Sequence, residues 1–150
     1  LGDRIDAEDV VQETFLRVYR NKHLYRNVAK FSTWIYTIAG NLAKTELRRR
    51  RRRKIFSLSQ MGYENRDYEI TDTVPTPDGL VDGEMNEGFI RKEIEALPVR
   101  FREVVVLRDI QELSYEEISD ILHIPIGTVK SRVNRGRMRL QKRLQPLLGK

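Results

Sequence analysis

The amino-acid sequence predicts an all-α protein of two small helical domains joined by an acidic, flexible linker. Apolar residues recur at three- and four-residue spacing in both halves of the chain, as they do in amphipathic helices. Two basic blocks flank an acidic block that contains proline and glycine and has no sustained apolar period. We therefore place a first domain at residues 1–56, the linker at 57–87 and a second domain at 88–150.

Charge is distributed unevenly along the chain. Residues 1–56 carry 14 basic and 6 acidic side chains, residues 57–87 carry 1 and 8, and residues 88–150 carry 13 and 8. The net charge of +6 favours a soluble protein with an anionic partner. The absence of cysteine excludes disulfides and thiolate metal sites. No apolar stretch approaches the roughly 20 residues that span a bilayer, and no signal peptide is visible, so we expect a cytoplasmic protein without membrane insertion.

The first domain is predicted to contain two helices. Asp6 is the expected N-cap of the first, "AEDVVQETFLRVYR". The residues predicted to form its inner stripe are Ala7, Val10, Val11, Thr14, Phe15 and Val18, whereas Asp9, Gln12 and Glu13 lie on the other side. A loop over residues 21–30 leads to a second helix that begins near Ser32. Its predicted inner stripe comprises Ile35, Ile38, Leu42 and Leu47. Two helices make a thin core, so we expect that a helix upstream of this chain is missing.

The second domain has a sharper pattern. One or two helices break near Leu97–Pro98, and Ser114 with Glu117 forms the S-x-x-E capping box that opens a short helix. Pro125 cannot continue that helix, so a turn precedes a second helix from about Ile126. Its apolar face, Val129, Val133 and Leu140, is expected to contact Ile118 and Leu122 of the short helix. This arrangement predicts a helix-turn-helix.

The last helix carries seven basic side chains after Thr128 and no acid, whereas the helix before it is acidic. The residues predicted to reach base edges are Thr128, Lys130, Ser131, Arg132, Asn134 and Arg135. The residues better placed for phosphates are Arg137, Arg139, Lys142 and Arg143. The alternative is a charged surface helix without a nucleic-acid role.

Three segments resemble the two conserved domains of bacterial sigma factors, most closely the extracytoplasmic-function group of the sigma-70 family. They are "DAEDVVQETFLRVYR", "FSTWIYTIAGNLAKTELRRR" and "LPVRFREVVVLRDIQELSYEEISDILHIPIGTVKSRVNRGR", which cover nearly all of the chain except the linker. The helix-turn-helix alone is less specific, because it also resembles the DNA-binding domain of LuxR-type regulators. The resemblance implies a region 2-like bundle followed by a region 4-like helix-turn-helix.

The resemblance also implies partners for particular residues. Asp9, Gln12 and Glu13 match positions that bind the β′ clamp helices of RNA polymerase, with Phe15, Leu16 and Tyr19 bordering the contact. Without the resemblance, this side of the helix would be interpreted as an ordinary solvated face. The second domain is expected to contact the β flap. Tyr25, Ile38 and Asn41 match a pocket for an unpaired base of the −10 element, with Arg26, Asn27, Lys44 and Arg48 near the strand. Trp34 is ambiguous from the sequence: it is interpreted as a core residue, and a wedge beside the base is the alternative.

The arginine run Arg48–Arg53 is interpreted as a phosphate clamp at the end of the −10 helix, because six consecutive arginines cannot face one groove. A nuclear localisation signal and a disordered tail are the alternatives. The linker, by resemblance, threads the polymerase near its active-site cleft, where Glu64, Asp67, Glu69 and Asp72 would compete with nucleic acid. A solubilising spacer is the alternative.

The functional prediction is a sigma factor that directs promoter-specific initiation only when bound to core polymerase, with promoter DNA and an anti-sigma factor as further partners. A free-standing helix-turn-helix regulator and an interaction protein held by an inhibitory partner are the alternatives. We expect no enzymatic activity, cofactor or metal. The only histidines, His23 and His123, are far apart, and no glycine-rich phosphate loop or framed nucleophile is present.

Overall fold

The computed structural model describes residues 1–60 and 84–148, with backbone alone at Leu58, 84–86 and 146–148. Within those residues the chain is helical, with no β-strand, so the all-α prediction is confirmed. The helices are α1 (Arg4–Arg20), α2 (Phe31–Gln60), α3 (Glu84–Glu95), α4 (Val99–Val105), α5 (Tyr115–Leu122) and α6 (Ile126–Leu148). The chain forms two compact units, Leu1–Tyr68 and Glu69–Lys150, here called unit 1 and unit 2. Most of the predicted linker, including its four named acids, lies outside the described residues.

Unit 1 is formed by α1 packed against α2. Helix α1 begins at Arg4 because the Asp3 carboxylate accepts a hydrogen bond of 3.0 Å from the backbone N–H of Asp6. Asp3 is therefore the N-cap, and the prediction that Asp6 caps the helix was wrong. Asp6 instead forms an ion pair with Arg50 of α2. The predicted loop between the helices also contains one short 3-10 helix, Lys22–Leu24.

The interior of unit 1 is small and partly polar. Among the described residues of this unit, only Thr14 and Thr33 are buried. Thr14 tolerates burial because its hydroxyl donates a hydrogen bond of 2.6 Å to the carbonyl oxygen of Val10. Val11 and Phe15 are 52% and 59% exposed, so their prediction as core residues was wrong. The face of α1 that packs against α2 is centred on Thr14, and both residues lie to the side of that face. The apolar stripe predicted for α2 is half-buried throughout.

The arginine run lies within α2 and does not end it, because the helix continues to Gln60. The predicted position of the run, at the end of this helix, was therefore wrong. A helix rotates about 100° per residue, so the run distributes its guanidinium groups around the axis. Arg50 faces α1, where it pairs with Asp6 and donates a hydrogen bond of 2.9 Å to the carbonyl oxygen of Leu1. Arg48, Arg51 and Arg52 are exposed.

Unit 2 has an apolar core. Its buried apolar residues are Leu97, Phe101, Val104, Val105, Ile118, Ile121, Val129 and Val133. The predicted break at Leu97–Pro98 is confirmed, since α3 ends at Glu95 and α4 begins at Val99. Helix α4 continues into one turn of π-helix, Val106–Ile110. Helix α6 packs against α3, α4 and α5 and thereby organises the unit.

The helix-turn-helix geometry follows from local chemistry. The Ser114 hydroxyl accepts from the Glu117 backbone N–H at 3.1 Å, and the Glu117 carboxylate accepts from the Ser114 N–H at 2.8 Å. The predicted capping box is therefore confirmed. His123 then adopts a left-handed conformation, with φ of 55°, which ends α5. Pro125 precedes α6, which begins at Ile126 as predicted.

Candidate nucleic-acid interface

Helix α6 presents a polar face outward because its apolar face is fixed inward. Val129 and Val133 are 0% exposed and pack in the core with Ile118. The opposite face exposes Ser131, Asn134 and Arg135 in the first three turns. The hydroxyl of Ser131 donates to the carbonyl oxygen of Thr128 at 3.1 Å.

The side chains of Asn134 and Arg135 have no hydrogen-bonding or ionic partner among the described residues. Lys142 lies on the same outer side and likewise has none there. These three side chains are therefore open to a ligand, and a base edge is a chemically suitable one for an amide or a guanidinium.

Three other arginines of α6 pair with carboxylates of preceding elements. Arg132 lies 3.5 Å from Glu103 of α4, and Arg143 lies 3.2 Å from Glu93 of α3. Arg137 forms a fork with Asp109 of the π-helical turn, in which Nε donates to Oδ2 at 3.1 Å. That hydrogen bond, with the negative charge of Asp109, raises the pKa of the Arg137 guanidinium above its ordinary value despite partial desolvation.

Two more cations of α6 lie over aromatic rings. The ammonium nitrogen of Lys130 is 5.7 Å from the ring centroid of Tyr115, and the guanidinium carbon of Arg139 is 4.9 Å from that of Phe101. The guanidinium carbon of Arg108 lies 4.7 Å from the centroid of the same Tyr115 ring. The predicted DNA-binding residues thus fall into two groups: side chains that are exposed without a described partner, and side chains paired with acidic or aromatic residues of unit 2. The sequence analysis identified none of these acidic and aromatic partners.

The second candidate surface is an aromatic cluster in unit 1. The ring centroid of Tyr25 is 5.2 Å from that of Phe31 and 5.3 Å from that of Trp34. The Tyr25 hydroxyl donates to the carbonyl oxygen of Ala29 at 2.8 Å and lies 3.2 Å from Oδ1 of Asn27. Trp34, interpreted as core from the sequence, is half-buried and forms part of this cluster. The missed signal was the spacing of Phe31 and Trp34, which places both beside the loop of Tyr25.

The other residues predicted for the −10 element extend from this cluster along one face of α2. Trp34, Ile38, Asn41 and Arg48 are separated by four, three and seven residues, so they share a helix face. Lys44 lies at the edge of this face. The remaining two predicted residues, Arg26 and Asn27, are exposed in the loop.

The third surface is the exposed side of α1. Phe15, Leu16 and Tyr19 are 59%, 48% and 70% exposed, and Asp9 and Gln12 are exposed beside them. Glu13 is half-buried and forms an ion pair of 2.8 Å with Arg17. An open, mainly apolar groove of about 480 Å³ adjoins this surface; it is lined by Phe15, Val18, Tyr19, Lys22, Tyr25 and Phe31. Exposed apolar patches are typical of interaction surfaces, so this side of α1 is a candidate for one.

Within residues 1–60 and 84–148, no cluster of three or more histidine, aspartate or glutamate side chains is arranged to hold a metal ion. The helices of the same residues include none of the length and apolarity required to cross a bilayer.

The two helical units, one with a helix-turn-helix and a basic outer helix, define a class of DNA-binding transcription proteins. The family model "Sigma-70 region 2" matches residues 1–53, and the model "Sigma-70, region 4" matches residues 90–140. The chain belongs to the sigma-70 family, in its extracytoplasmic-function group, and is a sigma factor for promoter-specific transcription initiation. The alternative of a free-standing regulator is not favoured.

Curated relatives agree with this assignment. The chain is 39% identical to the extracytoplasmic-function sigma factor SigW of Bacillus subtilis, over 98% of this chain and 80% of the relative. It is 36% identical to the sigma-H factor of Pseudomonas aeruginosa, over 97% and 77% of the two chains. The sigma-E factor of Escherichia coli K12 is also 36% identical, over 95% and 76%.

Two solved structures have the same fold. The sigma factor RpoE of Bartonella quintana, crystallised with the anti-sigma factor NepR, matches with a TM-score of 0.72 and 28% identity. That match covers 97% of this chain and 84% of RpoE. CnrH, solved with the cytosolic domain of CnrY, matches with a TM-score of 0.66 and 20% identity, over 96% and 74% of the two chains.

Proposed function

We propose that this sigma factor divides its work among the three surfaces described above. The outer face of α6 contacts the −35 element, the aromatic cluster and the adjoining face of α2 contact the −10 element, and the exposed side of α1 contacts core polymerase. The observation that carries the proposal is the outer face of α6, where Asn134 and Arg135 are exposed and have no partner among the described residues.

Base recognition by α6 is supported by chemistry and position. Asn and Arg are the side chains that form bidentate hydrogen bonds to adenine and guanine in the major groove. Both residues lie within three turns of the N-terminal end of α6, the part of a helix-turn-helix that enters the groove. Lys130, Ser131, Arg132 and Thr128 belong to the same proposed contact. The phosphate contacts are assigned to Arg139, Lys142 and Arg143. Arg137 is left out of this set because its guanidinium is paired with Asp109.

The −10 contact is supported by the aromatic cluster. A base that has left the stack needs an aromatic or apolar wall and a hydrogen-bonding group for its edge. Tyr25 and Ile38 supply the wall, and the exposed amide of Asn41 supplies the hydrogen bonds. The backbone of the strand is assigned to Arg26, Asn27, Lys44 and Arg48.

Binding of core polymerase is assigned to an apolar patch with a polar border on α1. Phe15, Leu16 and Tyr19 are the candidate anchors, since exposed aromatic residues that become desolvated dominate protein interfaces. Asp9, Gln12 and Glu13 supply the polar border for the arginine-rich β′ clamp helices. The proposed partner of unit 2 on the polymerase is the β flap.

Three further assignments complete the proposal. An anti-sigma factor is proposed as a regulator because the similar RpoE of Bartonella quintana is solved in complex with NepR. The protein acts in the cytoplasm, where promoter DNA and polymerase are found. It carries out no catalysis of its own and requires no cofactor. The predicted domain boundaries, with an acidic linker at 57–87 near the polymerase active-site cleft, remain part of the proposal.

The test of base recognition is multi-round transcription from a promoter library with core polymerase, in the presence and absence of this protein. We expect transcripts only when both are present, with shared −35 and −10 sequences. Arg135→Ala should relax the preference at one −35 base pair, because a bidentate contact contributes about 1–3 kcal/mol. The control is Gln141→Ala, an exposed substitution farther along α6. An unchanged −35 preference in Arg135→Ala would contradict the assignment.

The polymerase contact is tested separately by titrating core polymerase with labelled protein. Phe15→Ala should weaken binding at least about fivefold, because an anchor residue contributes more than about 1 kcal/mol. Val28→Ala, which alters a side chain that is 91% exposed in the loop, is the matched control. Equal affinities of the two variants would exclude Phe15 from the contact.

A further inference from the structure

We propose that Asp109 is a specificity-determining residue, because its carboxylate neutralises Arg137 and thereby lowers the affinity of α6 for DNA of arbitrary sequence. The proposal deepens the −35 function assigned above and rests on it. Asp109 belongs to the π-helical turn Val106–Ile110, 28 residues before Arg137. Its carboxylate acts on DNA binding through the arginine with which it pairs.

The geometry of the pair is that of a fork. Nε of Arg137 donates to Oδ2 of Asp109 at 3.1 Å, and Nη2 donates to Oδ1 at 2.5 Å. Two parallel hydrogen bonds between opposite charges form the most directional ion pair available to side chains. The arginine side chain is 48% exposed and the aspartate 33%, so the pair lies at the protein surface. A phosphate can approach Arg137 there only next to the carboxylate.

The consequence for DNA binding follows from counterion release. Each cation that neutralises a phosphate releases condensed counterions, which supplies most of the sequence-independent affinity. Arg137 already has a carboxylate partner, so a phosphate must either displace Asp109 or accept its repulsion. Arg135 has no such partner among the described residues and keeps its full charge for DNA. Asp109 thus neutralises a positive charge beside the outer face of α6, and the cations on that face keep their charge.

This arrangement should raise the ratio of specific to non-specific affinity. Contacts to base edges distinguish sequences, whereas phosphate contacts strengthen all sequences alike. Neutralising one flanking arginine lowers only the affinity that comes from phosphate contacts. A sigma factor gains from this because the genome offers a very large excess of competing sites.

The test is the salt dependence of binding between the full chain and a labelled duplex of random sequence, measured by fluorescence anisotropy at about 50 to 200 mM salt. Asp109→Asn keeps the shape of the side chain and removes its charge. We expect the slope of log affinity against log salt to steepen by about 0.9, the increment of one freed cation. Over that fourfold range of salt, the variant should lose about three to four times more affinity than the wild type.

Two controls separate this mechanism from a general change of charge. Asp120→Asn removes the same charge from α5, where the exposed Asp120 has no partner among the described residues. It should leave the slope nearly unchanged. Arg137→Gln should also have little effect when Asp109 is present, but should abolish the whole increment in the Asp109→Asn background. Circular dichroism of each variant checks that unit 2 is folded.

Three results would overturn the proposal. One is a salt-dependence slope for Asp109→Asn that equals the slope of the wild type. A failure of both proteins to bind the duplex would count in the same way. Another is an equal steepening by Asp109→Asn with and without Arg137, which would indicate a general charge effect. The third is a fall of about 0.9 in the slope on Arg137→Gln alone, which would mean that the paired arginine already contacts phosphate. That last result decides the question even if Asp109→Asn does not fold. None of these measurements uses polymerase or a promoter, so they are independent of the transcription test.

Discussion

The two units of this sigma factor are stabilised in different ways. Unit 2 buries eight apolar side chains from α4, α5, α6 and the residue before Pro98, whereas the buried residues described in unit 1 are two threonines. Unit 1 relies on polar contacts between its helices, above all those of Arg50 with Asp6 and with the Leu1 carbonyl oxygen. The difference indicates that apolar burial stabilises unit 2 more than unit 1. Unit 1 leaves much of its apolar surface exposed.

The largest effect should come from the core of unit 2. Ile118 is 0% exposed and packs with Val104, Val129 and Val133. Ile118→Ala should lower the free energy of unfolding by about 2–5 kcal/mol, from lost burial and the cavity left behind. Val11→Ala in unit 1 should change it by less than about 0.5 kcal/mol because Val11 is exposed. Urea denaturation followed by circular dichroism compares the two. Similar losses of unfolding free energy in the two variants would contradict the view that the two units are stabilised differently.

Replacing a glycine with alanine should give the next largest change in stability, and the sign of that change should depend on the position. A Cβ at Gly136 would lie 2.6 Å from Cγ2 of Val105, so Gly136→Ala should destabilise unit 2 by about 1–3 kcal/mol. At Gly40 and Gly88 such a Cβ would meet no described atom within 4 Å beyond its chain neighbours and the backbone of its own helix. Alanine at either position should stabilise its helix by roughly 0.5–1 kcal/mol. Thermal unfolding measures all three, and a stabilising Gly136→Ala would show that α4 and α6 can separate at little cost.

The smallest effect separates two arginines of the same run. Arg50→Gln should destabilise unit 1 by about 1 kcal/mol, because the ion pair and the hydrogen bond to Leu1 are both only partly exposed. Arg52→Gln should leave stability unchanged, since Arg52 is exposed. It should instead reduce the salt dependence of duplex binding by about 0.9 in slope. If the two variants behaved alike in both measurements, the run would have no internal division of roles.

Local signals made the helix-turn-helix predictable from sequence. The capping box of Ser114 and Glu117, and Pro125 at the turn, act within a few residues and need no knowledge of the packing. The core of unit 1 was harder, because periodicity gives the width of an apolar stripe but not its centre. Thr14 takes that centre by bonding its hydroxyl to the backbone, and Phe15 is displaced to the surface.

Long-range pairs were beyond the reach of sequence patterns. Asp109 and Arg137 lie 28 residues apart, and their contact depends on how α6 crosses the end of α4 and its π-helical turn. Nothing in the spacing of charges indicates that crossing. For the same reason, the basic residues of α6 were assigned to DNA as one group, although the structure gives several of them acidic or aromatic neighbours.

The aromatic cluster of unit 1 contains the only tryptophan of the 150-residue chain. Intrinsic emission excited at the red edge of the protein spectrum therefore comes from one half of the molecule alone. Unfolding of unit 1 can be followed by fluorescence while circular dichroism reports both units, with no label attached. A nucleobase that stacks on Tyr25 or Trp34 would quench the same signal, so this fluorescence would report directly on the proposed capture of the −10 strand.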